Sequence, residues 1–187
     1  LWETEEGTTS DYRQAVRKVV GNAEPDFIAG LNNTFSFRGF SLSAFFYTAQ
    51  GHEIYNSSRA FVESDGQRIG QFNNIIQAGE NYWQQPGDVA ERPQPLLGGN
   101  SRSNASSSRY LEDGSFIRLR NVTLSYSFPN TFAKRIGLSN VLLYVQGQNL
   151  LTITDYTGFD PEMDESGEEF FRYPVGKTIT FGLDVSF

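Results

Sequence analysis

The chain has 187 residues, a formal net charge of −7, no cysteine and a single histidine. These values exclude a disulfide framework and a cysteine-ligated metal site, and without a dense basic stripe they argue against nucleic-acid binding. No stretch approaches the roughly 20 apolar residues of a membrane-spanning helix, whereas 16 Phe and 9 Tyr suit alternating strands with aromatic girdles.

Residues 1–25 carry no clear strand pattern. A short helix is predicted over Asp11–Val20, where Tyr12, Ala15, Val16 and Val19 share a face and Ser10 is placed to cap. A strand is predicted over Asp26–Arg38, with Phe27, Ala29, Leu31, Phe35 and Phe37 on one face and Gly30, Asn32, Thr34 and Ser36 on the other. Arg38-Gly39 reads as a tight turn. The next strand, Phe40 to about Gln50, sets Phe40, Leu42, Ala44 and Phe46 against Ser41 and Ser43, so the two strands form an antiparallel hairpin.

His52 to Gly114 is a long connection rich in Asn, Ser, Gly, Gln and Arg, with a low-complexity piece at Gly98–Arg109. A third strand is predicted over Ser115–Phe128. Its later half alternates cleanly, with Val122, Leu124, Tyr126 and Phe128 against Thr123, Ser125 and Ser127. Its first half is out of phase, because Ile117 and Leu119 have the opposite parity and Arg118 and Arg120 share the parity of Val122. Two explanations stay open: a bulge near Asn121, or a strand that leaves the membrane there. Pro129–Asn140 is a short connection with room for a turn or two of helix. Val141–Asn149 is the fourth strand and Leu150–Gly176 a second long loop. The last segment, Lys177–Phe187, alternates without exception: Ile179, Phe181, Leu183, Val185 and Phe187 oppose Thr178, Thr180, Gly182, Asp184 and Ser186.

The fold class expected is all-β, an antiparallel transmembrane β-barrel segment. Connections alternate short and long, the asymmetry of barrels with short periplasmic turns and long extracellular loops. With the C-terminus periplasmic, residues 1–25 are the end of a preceding extracellular loop, and 26–187 are barrel with long extracellular loops at 51–114 and 150–176. The apolar faces then meet outer-membrane lipid. About five strands cannot close a barrel, and open edges do not survive in lipid. The chain is therefore expected to be the C-terminal part of a larger barrel, or to pair with other chains. Phe181, Leu183, Val185 and the terminal Phe187 read as the signal recognised by barrel-assembly machinery. A soluble extracellular β-sandwich adhesin or lectin is the alternative; it predicts loops of similar length at both ends and a covered apolar face.

Four stretches, in this order, resemble the SusC/RagA family of TonB-linked outer-membrane proteins of Bacteroidetes. They are Gly21–Phe27 (GNAEPDF), Tyr110–Pro129 (YLEDGSFIRLRNVTLSYSFP), Val145–Pro161 (VQGQNLLTITDYTGFDP) and Tyr173–Phe187 (YPVGKTITFGLDVSF). The resemblance covers roughly residues 21–60 and 108–187. It implies a plugged barrel of about 22 strands, of which this chain would hold the last five. It further implies nutrient import (glycan or peptide) driven by the TonB complex through a plug region absent here, with a SusD-like surface lipoprotein as lid. A barrel segment held as a client of assembly or secretion machinery is the other reading of the same residues.

Tyr82, Trp83, Tyr110, Phe170, Phe171 and Tyr173 are the candidates for substrate or lid contact, since aromatic anchors dominate interfaces; the competing role is packing loops together or standing in the outer girdle. Arg118 and Arg120 are expected to form salt bridges inside the barrel, with carboxylates such as Glu112 and Asp113. The acidic run 160–169 has no EF-hand spacing and reads as a solvated loop. No nucleophile–base pair, metal cluster or phosphate loop stands out, so no enzyme activity, no catalytic residue, no metal and no cofactor is expected.

Overall fold

Five long strands pair in the order in which they occur in the chain. They are β1 (Phe27–Phe37), β2 (Phe40–Gln50), β3 (Phe116–Ser127), β4 (Asn140–Thr154) and β5 (Thr178–Ser186). Every neighbouring pair is antiparallel, so the sheet is an up-and-down meander with β1 and β5 at its edges. The computed structural model describes residues 1–63, 65–67, 82–90, 92–163 and 166–187.

The registers explain why the sequence alternates. Leu31 opposes Phe46, Phe35 opposes Leu42 and Phe37 opposes Phe40, while Phe40 meets Tyr126 and Leu42 meets Leu124. Leu124 opposes Val145, and Phe181 and Leu183 oppose Val145 and Leu143. One face of the sheet is thus continuously apolar. The opposite face carries Asn32, Thr34, Ser36, Ser41, Ser43, Thr123, Ser125, Gln146 and Thr180.

The apolar face is bare: Phe35 is 68% exposed, Phe37 70% and Phe181 79%. Among the described residues no second sheet or helix layer covers it. That removes the sandwich alternative, in which two sheets bury their apolar faces against each other.

The phase break in β3 is a bulge. Pairing with β2 runs Phe46↔Leu119 and then Phe45↔Asn121, so Arg120 is the extra residue, and the β3–β4 register shifts at the same place. One additional residue restores Ile117 and Leu119 to the face of Val122 and Leu124. It also lets β4 run on to Thr154, past the expected end at Asn149, with Leu151 opposite Leu119 and Ile153 opposite Ile117.

The short connections follow from local chemistry. Arg38 and Gly39 both have positive φ, 48° and 89°, the two-residue geometry whose twist matches that of the strands it joins. Helix α1 is Ser57–Val62 and helix α2 is Asn130–Arg135; α2 fills the connection between β3 and β4. The helix expected over Asp11–Val20 shrinks to a single 3₁₀ turn, Tyr12–Gln14, capped by Asp11. Ahead of it, Trp2–Thr4 and Gly7–Thr9 form a small antiparallel hairpin. Val16 donates to Glu3 O at 3.0 Å, so the chain binds that hairpin where it would have turned. Val16, Val19 and Val20 are β-branched and carry a helix poorly, and Val19 is 97% exposed.

The long loops are folded rather than loose. Glu53–Asn56 pairs antiparallel with Leu111–Asp113 and parallel with Glu168–Glu169, so the two long connections share one small sheet. Ile54, Tyr110 and Glu169 are fully buried there. All of this lies beyond the Phe27, Gln50, Phe116 and Thr154 end of the meander, whereas the Arg38-Gly39 turn, α2 and Phe187 lie at the other end.

Candidate functional site

The sheet presents three surfaces on which function can act: an apolar outer wall, a polar inner wall, and the loop platform at one end.

On the apolar wall, aromatic rings gather at the short-turn end. Phe40 and Tyr126 lie 4.5 Å apart between ring centres, Tyr126 and Phe128 4.9 Å, and Phe128 and Phe132 5.2 Å, with the Arg38 guanidinium over Phe37 at 5.0 Å. Such a belt suits a membrane–water interface, where amphipathic and aromatic groups accumulate. Among the assembly-signal candidates, Phe181, Leu183, Val185 and Phe187 all point to this wall or end it, and Phe187 is 95% exposed.

The polar wall is a ladder of short side chains. Ser36 and Ser41 hydroxyls hydrogen-bond across the hairpin at 3.0 Å. Two aromatic rings lie flat along it over glycines. Phe45 lies where a side chain on Gly30 would stand, and the Tyr144 ring fills the corresponding space at its directly paired neighbour Gly182. A Cβ at position 182 would run into the tyrosine ring, whereas one at position 30 would stand in tight contact with Phe45 at 3.0 Å.

Where β3 reaches the platform, its two arginines turn inward. Arg118 Nη2 donates to Asp160 Oδ1 at 2.6 Å and its Nη1 to Glu162 Oε2 at 2.7 Å, while Nε donates to Thr152 at 3.0 Å. Arg120 pairs with the other Glu162 oxygen and stacks over Tyr47 at 4.3 Å. The salt bridges expected from the sequence thus exist, but with different acids. Glu112 instead binds Asn56, Arg59 and Thr157, and Asp113 accepts from Ser115 N–H. The signal was present in the sequence as matched spacing: Arg-x-Arg at 118 and 120, Asp-x-Glu at 160 and 162. Burial pushes the Asp160 carboxyl up, but the Arg118 hydrogen bond, the N–H groups of Glu162 and Val175 and the Arg118 charge outweigh it and hold it below the usual aspartate value.

Contrary to the expectation of a solvated loop, the two ends of the acidic run are packed, while Ser166 and Glu168 are exposed and residues 164–165 lie outside the described residues. Asp160 and Glu169 are buried, and Glu169 Oε1 accepts from Arg172 N–H. Among the described residues no cluster of three or more His, Asp or Glu side chains could hold a metal ion.

The aromatic contact candidates part company. Tyr110 has no exposed surface and packs edge-on to Tyr55 under Arg109, so it gives the platform its core and offers nothing to a partner. Phe170 and Phe171 flank Phe61 with ring centres at 5.9 and 5.5 Å and remain half-exposed. Tyr173 is 94% exposed. Tyr82 bridges to Arg92, and Trp83 N–H donates to Arg92 O at 2.8 Å.

No family model matches this chain. Curated relatives do. TonB-dependent receptor P3 of Formosa agariphila is 35% identical over 184 residues, which cover 92% of this chain and 17% of that protein. TonB-dependent receptor SusC of Bacteroides thetaiotaomicron is 27% identical over 87% of this chain and 15% of its own length. A solved structure of the RagAB peptide transporter matches 90% of this chain with a TM-score of 0.75 at 30% identity. This chain belongs to the SusC/RagA family of TonB-dependent receptors. The RagAB peptide importer in its closed-closed state matches similarly, with a TM-score of 0.73 and 32% identity over 91% of this chain and 18% of that one. The chain spans less than a fifth of each of these relatives.

SusC/RagA relatives are outer-membrane receptors and transporters, not enzymes. The meander is therefore a stretch of barrel wall with one apolar and one polar face. Its two unpaired edges fit strands of a closed barrel, since exposed edges are not tolerated in hydrocarbon.

Proposed function

We propose that this chain forms part of the wall and outer vestibule of a TonB-energised importer. The importer takes a glycan or peptide delivered by a SusD-like surface lipoprotein. The observation that carries the reading is the two-faced meander with every short connection at one end and a folded loop platform at the other, on a chain that aligns with RagA over nine-tenths of its length. Transport rather than chemistry fits a polar wall of Ser, Thr, Asn and Gln, which offers weak, exchangeable hydrogen bonds to a passing solute.

In this reading the Arg38-Gly39 turn, α2 and Phe187 face the periplasm, and residues 1–25, 51–114 and 150–176 face outward. Phe170, Phe171 and Tyr173, with Tyr82 and Trp83, are the surfaces offered to lid or substrate. Phe181, Leu183, Val185 and Phe187 are the strand read during assembly.

Because the chain has no cysteine, its orientation can be tested with single cysteines in a complete receptor cleared of any others. A membrane-impermeant maleimide should label Val89→Cys on intact cells and Ile136→Cys only after the outer membrane is opened. The reverse pattern would sink the orientation. Replacing Phe170, Phe171 and Tyr173 by alanine should reduce recovery of the lipoprotein with the tagged receptor; full recovery would remove them from the lid surface. Deleting Phe187 should lower the amount of folded receptor in the outer membrane.

A further inference from the structure

Charge is unevenly distributed at the short-turn end of the sheet. Asp184 is the sole acidic side chain in residues 27–49, 115–154 and 177–187, although the whole chain carries a net charge of −7. It has the polar parity of β5, with Thr180 and Gly182. Arg38 stands at this end in the β1–β2 turn, and Lys134 and Arg135 occupy the last turn of α2. All three are exposed, and among the described residues none pairs with a carboxylate.

Beside them the apolar wall is grooved. Phe35 opposes Leu42 and Phe37 opposes Phe40 across the hairpin, while Leu42 opposes Leu124 on the next strand. These five residues contribute to the lining of a shallow groove of about 550 Å³. All five side chains are exposed.

Arg38 sits at the mouth of this groove. Its φ is 48°, in a two-residue turn where Asn or Gly is the ordinary choice, so a long cation holds the position against local preference. Its guanidinium lies over the Phe37 ring at 5.0 Å, a stacking that leaves the in-plane N–H donors free. The aromatic row Phe40, Tyr126, Phe128 and Phe132 leads from the turn to α2. An apolar groove thus opens onto a cationic rim. A soluble anion would leave the groove empty, and a neutral lipid would leave the rim without counter-charge. The complementary molecule joins a hydrocarbon chain to an anionic head.

We propose that this end of the wall is a binding site for an anionic phospholipid. One acyl chain lies in the groove, the headgroup phosphate meets Arg38, and Lys134 and Arg135 add attraction at the same headgroup level. The inference rests on the reading of the chain as barrel wall with its apolar face toward lipid, and adds the class of lipid and the residues that select it.

The test is photolabelling of the complete receptor, reconstituted with its partner proteins in phosphatidylcholine vesicles. A trace of phosphatidylglycerol or phosphatidylcholine with a diazirine on its acyl chain is photolysed, and crosslinked residues are mapped by peptide mass spectrometry. Phosphatidylglycerol is expected to label residues 35–42 and Leu124 about fivefold more than phosphatidylcholine does. Ile117 and Ile153, at the far end of the apolar wall, should be labelled equally by both. Arg38→Gln should abolish most of the preference and Arg38→Lys should keep part of it. Lys134→Gln combined with Arg135→Gln should reduce it by a smaller factor. Retention of the compact species on unheated gels establishes that each variant is folded. Equal labelling of the groove by both lipids, or a preference that survives Arg38→Gln, would overturn the proposal and leave the wall reading standing if Ile117 and Ile153 are labelled. Absence of labelling along the whole wall would overturn both. Stronger labelling of the groove by diazirine-bearing lipid A than by phosphatidylglycerol would overturn the phospholipid assignment.

Discussion

Arg118 and Asp160, 42 residues apart, form a nearly buried ion pair at 2.6 Å that joins the wall strand β3 to the loop after β4. Their side chains are 3% and 7% exposed, and Glu162 closes the far side of the guanidinium. Removing one partner of such a pair leaves an uncompensated buried charge and costs on the order of 3–5 kcal/mol. Asp160→Ala should therefore free the loop 155–176 from the wall. Limited proteolysis of the complete receptor is expected to cut this loop much faster in the variant; unchanged protection would deny the pair its anchoring role.

The same carboxyl sets a pH dependence. Its folded value is depressed below that of the unfolded chain, so its contribution is fully present above the ordinary aspartate value of about 3.9 and is lost as pH falls through the folded value. Loop protection should hold from neutral pH down to about pH 4 and decline below it, as far as Asp160 is concerned. Pepsin digestion across the acid range reads this directly. The Asp160→Ala protein should lack this component of the acid dependence.

Arg120 is the residue that keeps both halves of β3 in phase. Deleting it leaves Ile117, Leu119, Val122 and Leu124 in unbroken alternation, so the receptor should still insert, with the platform loosened through loss of the Glu162 contact. Deleting Leu119 instead brings Arg120 onto the apolar-face parity and should depress insertion. The folded fraction of each in outer-membrane preparations distinguishes them, and equal yields would argue against the bulge as the phase-setting element.

Adjacent residues of β3 should differ sharply. Leu124 meets Leu42 and Val145 on the apolar wall, and Ser125 meets Ser41 and Tyr144 on the polar one. Leu124→Arg, two residues inside the Tyr126 belt, is expected to cost about 1–2 kcal/mol, between the interface and midplane penalties for a lipid-facing cation, and Ser125→Arg far less. Denaturant titration in lipid vesicles measures both. A similar loss from each would mean that the two faces have been assigned the wrong way round or that neither meets lipid.

Tyr144 and Gly182 make a more local test. The tyrosine ring occupies the space of a Cβ on the glycine, so Gly182→Val forces ring or strand aside at about 1–3 kcal/mol. Adding Tyr144→Ala should restore much of that loss, an interaction a double-mutant cycle detects. Additive effects would show the contact to be unimportant.

What the sequence determined by itself was everything governed by a period of two. The limits of β1, β2 and β5, the Arg38-Gly39 turn and the opposition of Phe181, Leu183 and Val185 to Thr180, Gly182 and Asp184 are local, because alternate side chains of a strand must point to opposite faces. The four family stretches carried the membership as well. Only tertiary structure chose between the two readings of Ile117 and Leu119, since a bulge is defined by the partner strands. It gave Arg118 and Arg120 their acids from a distant loop rather than the nearby Glu112 and Asp113. It buried Tyr110 and Glu169. Burial and charge pairing between segments depend on which loops meet, and no local periodicity encodes that meeting.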